Sequence, residues 1–198
     1  MNQEPLIRVF ENQIPFNDRS KLYSVCSKSI FKLGSEDRTS IAMNKYISNG
    51  TIHIADTYSS WSKEDLRLIN NQDCNFIFYL KKCISETPSF TNKFLESVEV
   101  NLVRSTDIHY IHLHPRKQVA LYYVILDWED GLYGETLFYE PHDLDNVCFT
   151  STYKPGRIIL FDGHIPHAIR PQSIKAPKYR FTLSLFFSDN QDKGGYEI

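Results

Sequence analysis

From residue 98 to residue 187 the chain is a succession of short apolar and aromatic runs, each closed by a turn signal. The runs are Val98–Val103, Ile108–His114 (alternating only in part), Val119–Leu126, Thr136–Tyr139, Val147–Thr150, Arg157–Phe161 and Arg180–Phe187. Asp130-Gly131, Glu140-Pro141-His142-Asp143, Lys154-Pro155-Gly156 and Asp162-Gly163 punctuate them. Short strands at this spacing predict an all-β sandwich or barrel, and leave little room for a helical bundle or a parallel α/β sheet. The nearly unbroken apolar run Val119–Leu126 predicts a strand buried on both faces. A high aromatic content, 14%, suits strands and a large packed core.

The composition changes near residue 95. Leu6–Phe10 reads as a short opening strand. Asn17 or Asp18 is placed to cap a helix carrying Leu22, Val25, Cys26, Ile30 and Leu33, with Gly34 as its stop. Ser62-Lys63-Glu64-Asp65 resembles a capping box opening a helix with Leu66 and Ile69. A third helix is expected over Gln72–Ser85, ended by Thr87-Pro88. Residues 35–60 carry no clear pattern. The expectation is a mainly β fold, a jelly roll with a helical N-terminal layer. A length of 198 residues suits one domain, with 1–95 as support and 96–190 as the core.

Charge and composition narrow the function. A formal net charge of -2 offers no electrostatic footprint for nucleic acid. No apolar stretch is long enough to span a bilayer, and the N-terminus lacks a signal-peptide pattern. Cys26, Cys74, Cys83 and Cys148 form no C-x-x-C pair, so reduced thiols in a cytoplasmic protein are expected. Oligomeric state is not written in the sequence.

Five of the seven histidines fall in two short windows. In the first, His109-Tyr110-Ile111-His112-Leu113-His114, residues 112 and 114 would share a strand face and could grip one ion. His109, an odd number of positions away, should point elsewhere. A solvated polar strand end accounts for the window equally well. The second window, Gly163-His164-Ile165-Pro166-His167, follows an apolar strand and a turn, a rigid place from which to present a ligand. In the last strand, Arg180, Thr182, Ser184 and Phe186 share one face, and Leu183, Leu185 and Phe187 the other. A guanidinium and two hydroxyls on an inner face would call for an anion, a carboxylate above all. On an outer face Arg180 would simply sit in a surface salt bridge.

The order of these features resembles a family. It runs from the His112/His114 pair to Leu121-Tyr122-Tyr123-Val124-Ile125-Leu126-Asp127-Trp128 and Gly134-Glu135-Thr136. Lys154-Pro155-Gly156-Arg157-Ile158-Ile159-Leu160-Phe161, His167 and Arg180 follow. It looks like the 2-oxoglutarate- and Fe(II)-dependent oxygenases, in their prolyl-4-hydroxylase-like branch. The resemblance covers about half the chain and implies a double-stranded β-helix of the cupin-like kind. It implies iron held by His112, His114 and His167. The cosubstrate 2-oxoglutarate would be bound by Arg180 with Tyr123, Thr182 and Ser184. It further implies O2 as oxidant, ascorbate as an auxiliary reductant, and hydroxylation of a C–H bond in a peptide (a prolyl residue, for instance) or a small molecule. Apart from the metal centre it names no catalytic side chain.

Two departures stand out. The family motif H-x-D reads His112-Leu113-His114 here, so an imidazole replaces the carboxylate. Tyr133 stands where the family has the first glycine of G-G-E-T. Three imidazoles hold iron in some other β-barrel oxygenases, which keeps a three-histidine dioxygenase without 2-oxoglutarate as an alternative. A non-catalytic carboxylate-binding module of the same fold is a further one. Asp107 with His109 offers the metal motif in reverse order, at a spacing less like the family's.

Overall fold

The structure is a computed structural model that describes residues 7–28, 31–33, 58–61, 74–107 and 109–189. Its elements are β1 (Ile7–Phe10), α1 (Phe16–Ser27), β2 (Lys32–Leu33), β3 (Tyr58–Trp61) and α2 (Phe76–Ser85). A 3-10 turn (Pro88–Phe90) leads into β4 (Phe94–Val103), β5 (Gln118–Tyr123), β6 (Thr136–Glu140) and β7 (Asp143–Ser151). β8 (Ile158–Asp162), β9 (His167–Ile169) and β10 (Arg180–Ser188) complete the series.

The strands form two antiparallel sheets. The larger has the order β1-β8-β5-β10-β4-β3-β2, the smaller β7-β6-β9. This is the jelly roll expected from the strand spacing. The period of two along β10 sorts its residues between two layers. Phe181 and Phe187 face outward, where their rings meet Tyr23 at 6.1 Å and Phe90 at 5.4 Å. Arg180 and Phe186 face the smaller sheet, Arg180 over the Tyr153 ring and Phe186 against His114. β5 obeys the same parity. Tyr122 packs on Phe76 of α2 at 5.1 Å, while Tyr123 turns inward and bonds Thr136 of β6.

Among the described residues, α1 and α2 cover the outer face of the large sheet. Leu22 and Cys26 of α1, and Phe76, Leu80 and Cys83 of α2, are buried there at helical spacing. α1 differs from its expected span at both ends. Pro15 rather than Asn17 or Asp18 precedes the first turn, and its carbonyl accepts the Arg19 N–H at 3.0 Å. Its fixed φ and missing N–H suit that place. Asp18 instead lies in the first turn, where its charge favours the positive helix end. The helix stops at Ser27, and Leu33 belongs to β2, because pairing with β3 takes that stretch into the sheet. Ile30, Gly34, Gln72 and the helix anticipated after Ser62 lie outside the described residues.

His109–His114 is not a strand: within it a single bridge joins His112 to His167, and Ile108 lies outside the described residues. β3 and β9 are short and carry no alternation that the sequence reading could use. Three of the four cysteines are buried and Cys148 is exposed, all as free thiols. No helix among the described residues is long and apolar enough to cross a membrane.

Candidate metal centre and anion pocket

The bridge between His112 and His167 builds the first half of the site. Two backbone hydrogen bonds, at 3.0 and 2.9 Å, lay His112 alongside β9. The rings of the pair then stand 4.3 Å apart. His114 is placed by a different device. Its N–H donates to the Gly163 carbonyl at 2.7 Å, and the Gly163 N–H donates to Lys117 O at 2.9 Å. A Cβ on Gly163 would stand 2.3 Å from the His114 carbonyl oxygen, so only glycine permits this approach. The turn that presents His167 therefore also clamps His114.

The three side chains converge between the sheets, with one ligating atom from each lying within 4.8 Å of the others. Phe186 packs on His114 at 4.8 Å and Phe161 on His167 at 4.9 Å. Nδ1 of His112 lies 3.0 Å from Tyr110 O, and Nδ1 of His167 lies 2.9 Å from Ile165 O. Carbonyls accept only, so each Nδ1 carries the proton and each Nε2 is left as a lone-pair donor. Burial pushes the His114 pKa down to about 3, with His112 and Lys117 adding to the effect. Burial also holds His167 well below the ordinary imidazole value, against the Ile165 carbonyl. Neutral imidazoles in this grouping fit a transition-metal ion.

The second half of the site is Arg180. It is fully buried, and Nε, Nη1 and Nη2 all lack a hydrogen-bond partner. Its Cζ lies 4.5 Å from the Tyr153 ring centroid and 5.4 Å from that of Tyr123. Burial lowers its pKa; Tyr153, Tyr123 and Glu135 oppose the shift. Thr182, also fully buried on the same strand face, leaves its hydroxyl unpartnered. A buried guanidinium with three unused donors is costly unless an anion completes it, and a carboxylate matches its fork. Of the two faces the sequence left open for Arg180, the structure shows the inward one, and a surface salt bridge is excluded.

The other sequence-derived residues are partly committed. The Tyr123 hydroxyl donates to Thr136 Oγ1 at 2.8 Å and approaches Ser151 O at 3.3 Å, and its ring centroid lies 5.4 Å from Arg180 Cζ. Ser184 Oγ accepts from Asn101 Nδ2 at 3.3 Å. Asp107 is fully buried and held by Arg104 through Nη2 at 2.8 Å and Nε at 3.1 Å, which takes its carboxylate away from the metal cluster.

Tyr153 was missed, and the surroundings of His109 were not legible. Tyr153 is the platform under Arg180. It stacks on Tyr123 at 4.4 Å, donates to Phe181 O at 2.6 Å and accepts from Ile125 N at 3.1 Å. An aromatic two places before Pro155-Gly156 reads as turn punctuation, so only its ring type could have drawn notice. His109 lies outside the metal cluster but does not point to an outer face. Its Nε2 is buried without a partner, and the charges of Arg180 and His112 reach it. Because residues 109–111 are not in strand conformation, the parity argument does not apply to them. Above the pocket, Gly134 packs against Arg180, with Arg180 Cδ and Nε both 3.4 Å from where its Cβ would lie. The exposed Tyr133 beside it carries the Arg170 guanidinium 4.0 Å over its ring.

No family model matches the chain, and no curated relative matches it. Solved structures do. A prolyl hydroxylase from Trichoplax adhaerens, in complex with a hypoxia-inducible-factor peptide, superposes with a TM-score of 0.60 at 16% identity. The match covers 95% of this chain and 86% of that one. A Pseudomonas putida prolyl-4-hydroxylase matches at TM-score 0.58 and 15% identity, covering 93% and 92%. HygX from Streptomyces hygroscopicus, solved with nickel and 2-oxoglutarate bound, matches at 0.60 and 8%, covering 92% and 82%. These likenesses establish the fold, the jelly roll of 2-oxoglutarate-dependent oxygenases.

Proposed function

We propose that this chain is a metal-dependent oxygenase that uses Fe(II) and 2-oxoglutarate to hydroxylate a C–H bond. The observation that carries the reading is the buried, unpartnered guanidinium of Arg180 in the same inter-sheet space as three converging imidazoles. The residues fit both groups. His112, His114 and His167 would hold iron. Arg180 would take the far carboxylate of the cosubstrate, with the free Thr182 hydroxyl as second donor. Ser184 accepts from Asn101 and keeps its own proton to donate, while Tyr123 supports the guanidinium through its ring. The metal supplies oxygen activation coupled to decarboxylation of the 2-oxo acid to succinate.

The protein's own part is preorganisation. Tyr110 O and Ile165 O fix the ring orientations, Phe161 and Phe186 wall the centre, and the Tyr123–Tyr153 stack keeps Arg180 in place. Three neutral imidazoles would leave a divalent ion its full charge, of which the near carboxylate of the 2-oxo acid would offset one unit while the far carboxylate pairs with Arg180. The substrate is proposed to be a peptide or a small molecule, entering past Tyr133 and Arg170. A peptide is what the Trichoplax neighbour holds. The proposed setting is the cytoplasm, where the four free thiols would stay reduced.

Anaerobic titration with Fe(II) and 2-oxoglutarate tests the reading. A visible charge-transfer band that requires both components, and is lost in Arg180→Ala, is the expected result. Iron binding with no band would favour the second reading, a three-histidine dioxygenase independent of the cosubstrate, which the imidazole of His114 motivates. Tight 2-oxo acid binding with no succinate or product formed would favour a binding module.

A further inference from the structure

We propose that Tyr133, clasped by Arg170, is a positioning residue for the anion pocket: it holds the Gly134 backbone against Arg180 and so fixes the direction of the guanidinium. The inference rests on the functional reading above and adds to it a residue at which this chain departs from the ordered motif set. Arg180 makes no hydrogen bond through Nε, Nη1 or Nη2, so packing decides where its fork points before a ligand arrives. One neighbour is the Tyr153 ring, 4.5 Å from Cζ. Another is the backbone at Gly134, where a Cβ would stand 3.4 Å from both Cδ and Nε of Arg180 and 3.2 Å from Trp128 Cζ2. The residue that fixes Gly134 is Tyr133. Its φ of 61° is left-handed, a conformation that a bulky aromatic rarely adopts and that costs free energy. Contacts on three sides offset that cost. The Tyr133 carbonyl accepts the Trp128 Nε1–H at 3.2 Å, its backbone bridges Gln172, and Arg170 Cζ lies 4.0 Å over its ring. Arg170 is tied to the same segment through its N–H, which donates to Glu135 O at 2.9 Å. The Tyr133 ring is exposed, so packing in the core does not account for it. An anion that reaches Arg180 then meets a guanidinium already aimed, and less free energy goes into ordering it.

The test compares two 2-oxo acids on the Fe(II)-loaded full chain without oxygen, read by the charge-transfer band. 2-Oxopentanoate carries a methyl group where 2-oxoglutarate carries its far carboxylate. The preference for 2-oxoglutarate, taken as the ratio of the two Kd values, therefore isolates what Arg180 contributes. Tyr133→Gly removes the ring while suiting the left-handed backbone. It is expected to lower the preference about fivefold, with Fe(II) affinity and the 2-oxopentanoate Kd unchanged. Tyr133→Phe keeps the ring and should keep the preference, and Arg170→Gln should lower it as Tyr133→Gly does. An unchanged preference in Tyr133→Gly, or an equal loss for both acids, would overturn the positioning role; if Arg180→Ala still abolished the preference, the pocket itself would stand. A wild-type protein with no preference for 2-oxoglutarate would overturn the functional reading. Should Tyr133→Gly not fold, Arg170→Gln, a change at a half-exposed side chain, decides by the same ratio: a lowered preference supports the role and a wild-type preference overturns it.

Discussion

His112 and His167 exchange both backbone hydrogen bonds across one isolated bridge, so neither main chain can shift without displacing the other. The bridge extends the small sheet by a single residue pair. Metal affinity should therefore depend on backbone as well as on ligands. Gly163→Ala puts a Cβ 2.3 Å from His114 O and 2.7 Å from Lys117 O, both backbone atoms that cannot rotate away. We expect a loss of about 1–3 kcal/mol in stability, as for an overpacked interior site, and Fe(II) binding at least about tenfold weaker. Urea denaturation and isothermal titration measure the two. Wild-type iron affinity in Gly163→Ala would show that the clamp on His114 is dispensable.

Arg180 separates stability from function. Replacing it with Met removes a buried cation that lacks a partner, and such replacements are often neutral or stabilising. The unliganded Arg180→Met protein should melt at or above the wild-type temperature. Added 2-oxoglutarate at about 100 times its Kd should stabilise the metal-loaded wild type by about 2.7 kcal/mol and Arg180→Met not at all. A large drop in the melting temperature of unliganded Arg180→Met would mean that the fold already uses this charge.

His114→Asp restores a negative charge beside the metal. Electron density on the ion rises, so the metal-to-ligand transition should fall in energy and the charge-transfer band move to longer wavelength. Fe(II) affinity should rise as well. An unmoved band would place residue 114 outside the coordination sphere.

Among the described residues, Glu11 contributes to the acid limb of stability. Glu11 receives Lys154 and Arg157, which hold its carboxyl below the usual carboxylate value and tie the end of β1 to the turn before β8. A depressed folded-state pKa adds stability above the unfolded pKa, about 4.3, and that stability is lost as pH falls through the folded value. The pair is partly exposed, so the effect is below about 1 kcal/mol. Glu11→Gln should be slightly less stable than wild type at pH 7 and equal to it at pH 2. A difference that stays constant across that range would point to packing instead.

The outer layer is tested by Phe76→Ala. Phe76 is fully buried against Tyr122, so we expect a loss of about 3–5 kcal/mol in urea denaturation, with 2-oxoglutarate affinity little changed in the fraction that remains folded. Loss of affinity in the folded protein would mean that the helices reach through Tyr122 to the Tyr123 side of the sheet.

The sequence was most legible where period and burial coincide. The inward parity of Arg180, Thr182 and Phe186 follows from a strand nine residues long, and so does the outward parity of Phe181 and Phe187. The metal cluster could be anticipated from two histidine windows because ligand chemistry is restrictive even where secondary structure is not. The reasoning that joined His112 and His114 as strand neighbours was only partly apt, since one bridge and the Gly163 clamp position them rather than a strand. The same assumption turned His109 away from the pair; it does lie outside the cluster, though on a segment that has no strand parity. Tyr153 and the early end of α1 were illegible for a related reason. Both are decided by contacts with residues far away in the chain, Arg180 for the first and β3 for the second.

The position of β10 has a consequence for how the molecule is made. β10 is the last described strand in the chain, yet it lies in the middle of the large sheet, pairing β5 on one side and β4 on the other. During synthesis β4 and β5 emerge first and must wait with open edges, joined only by a connection that leaves the slot between them empty. Such edges are exposed to mispairing until the final strand arrives, and pairings this distant in sequence form slowly. Arg180 opens that strand, so the anion pocket is among the last features to be completed, and no ligand of that pocket can guide the earlier stages of folding.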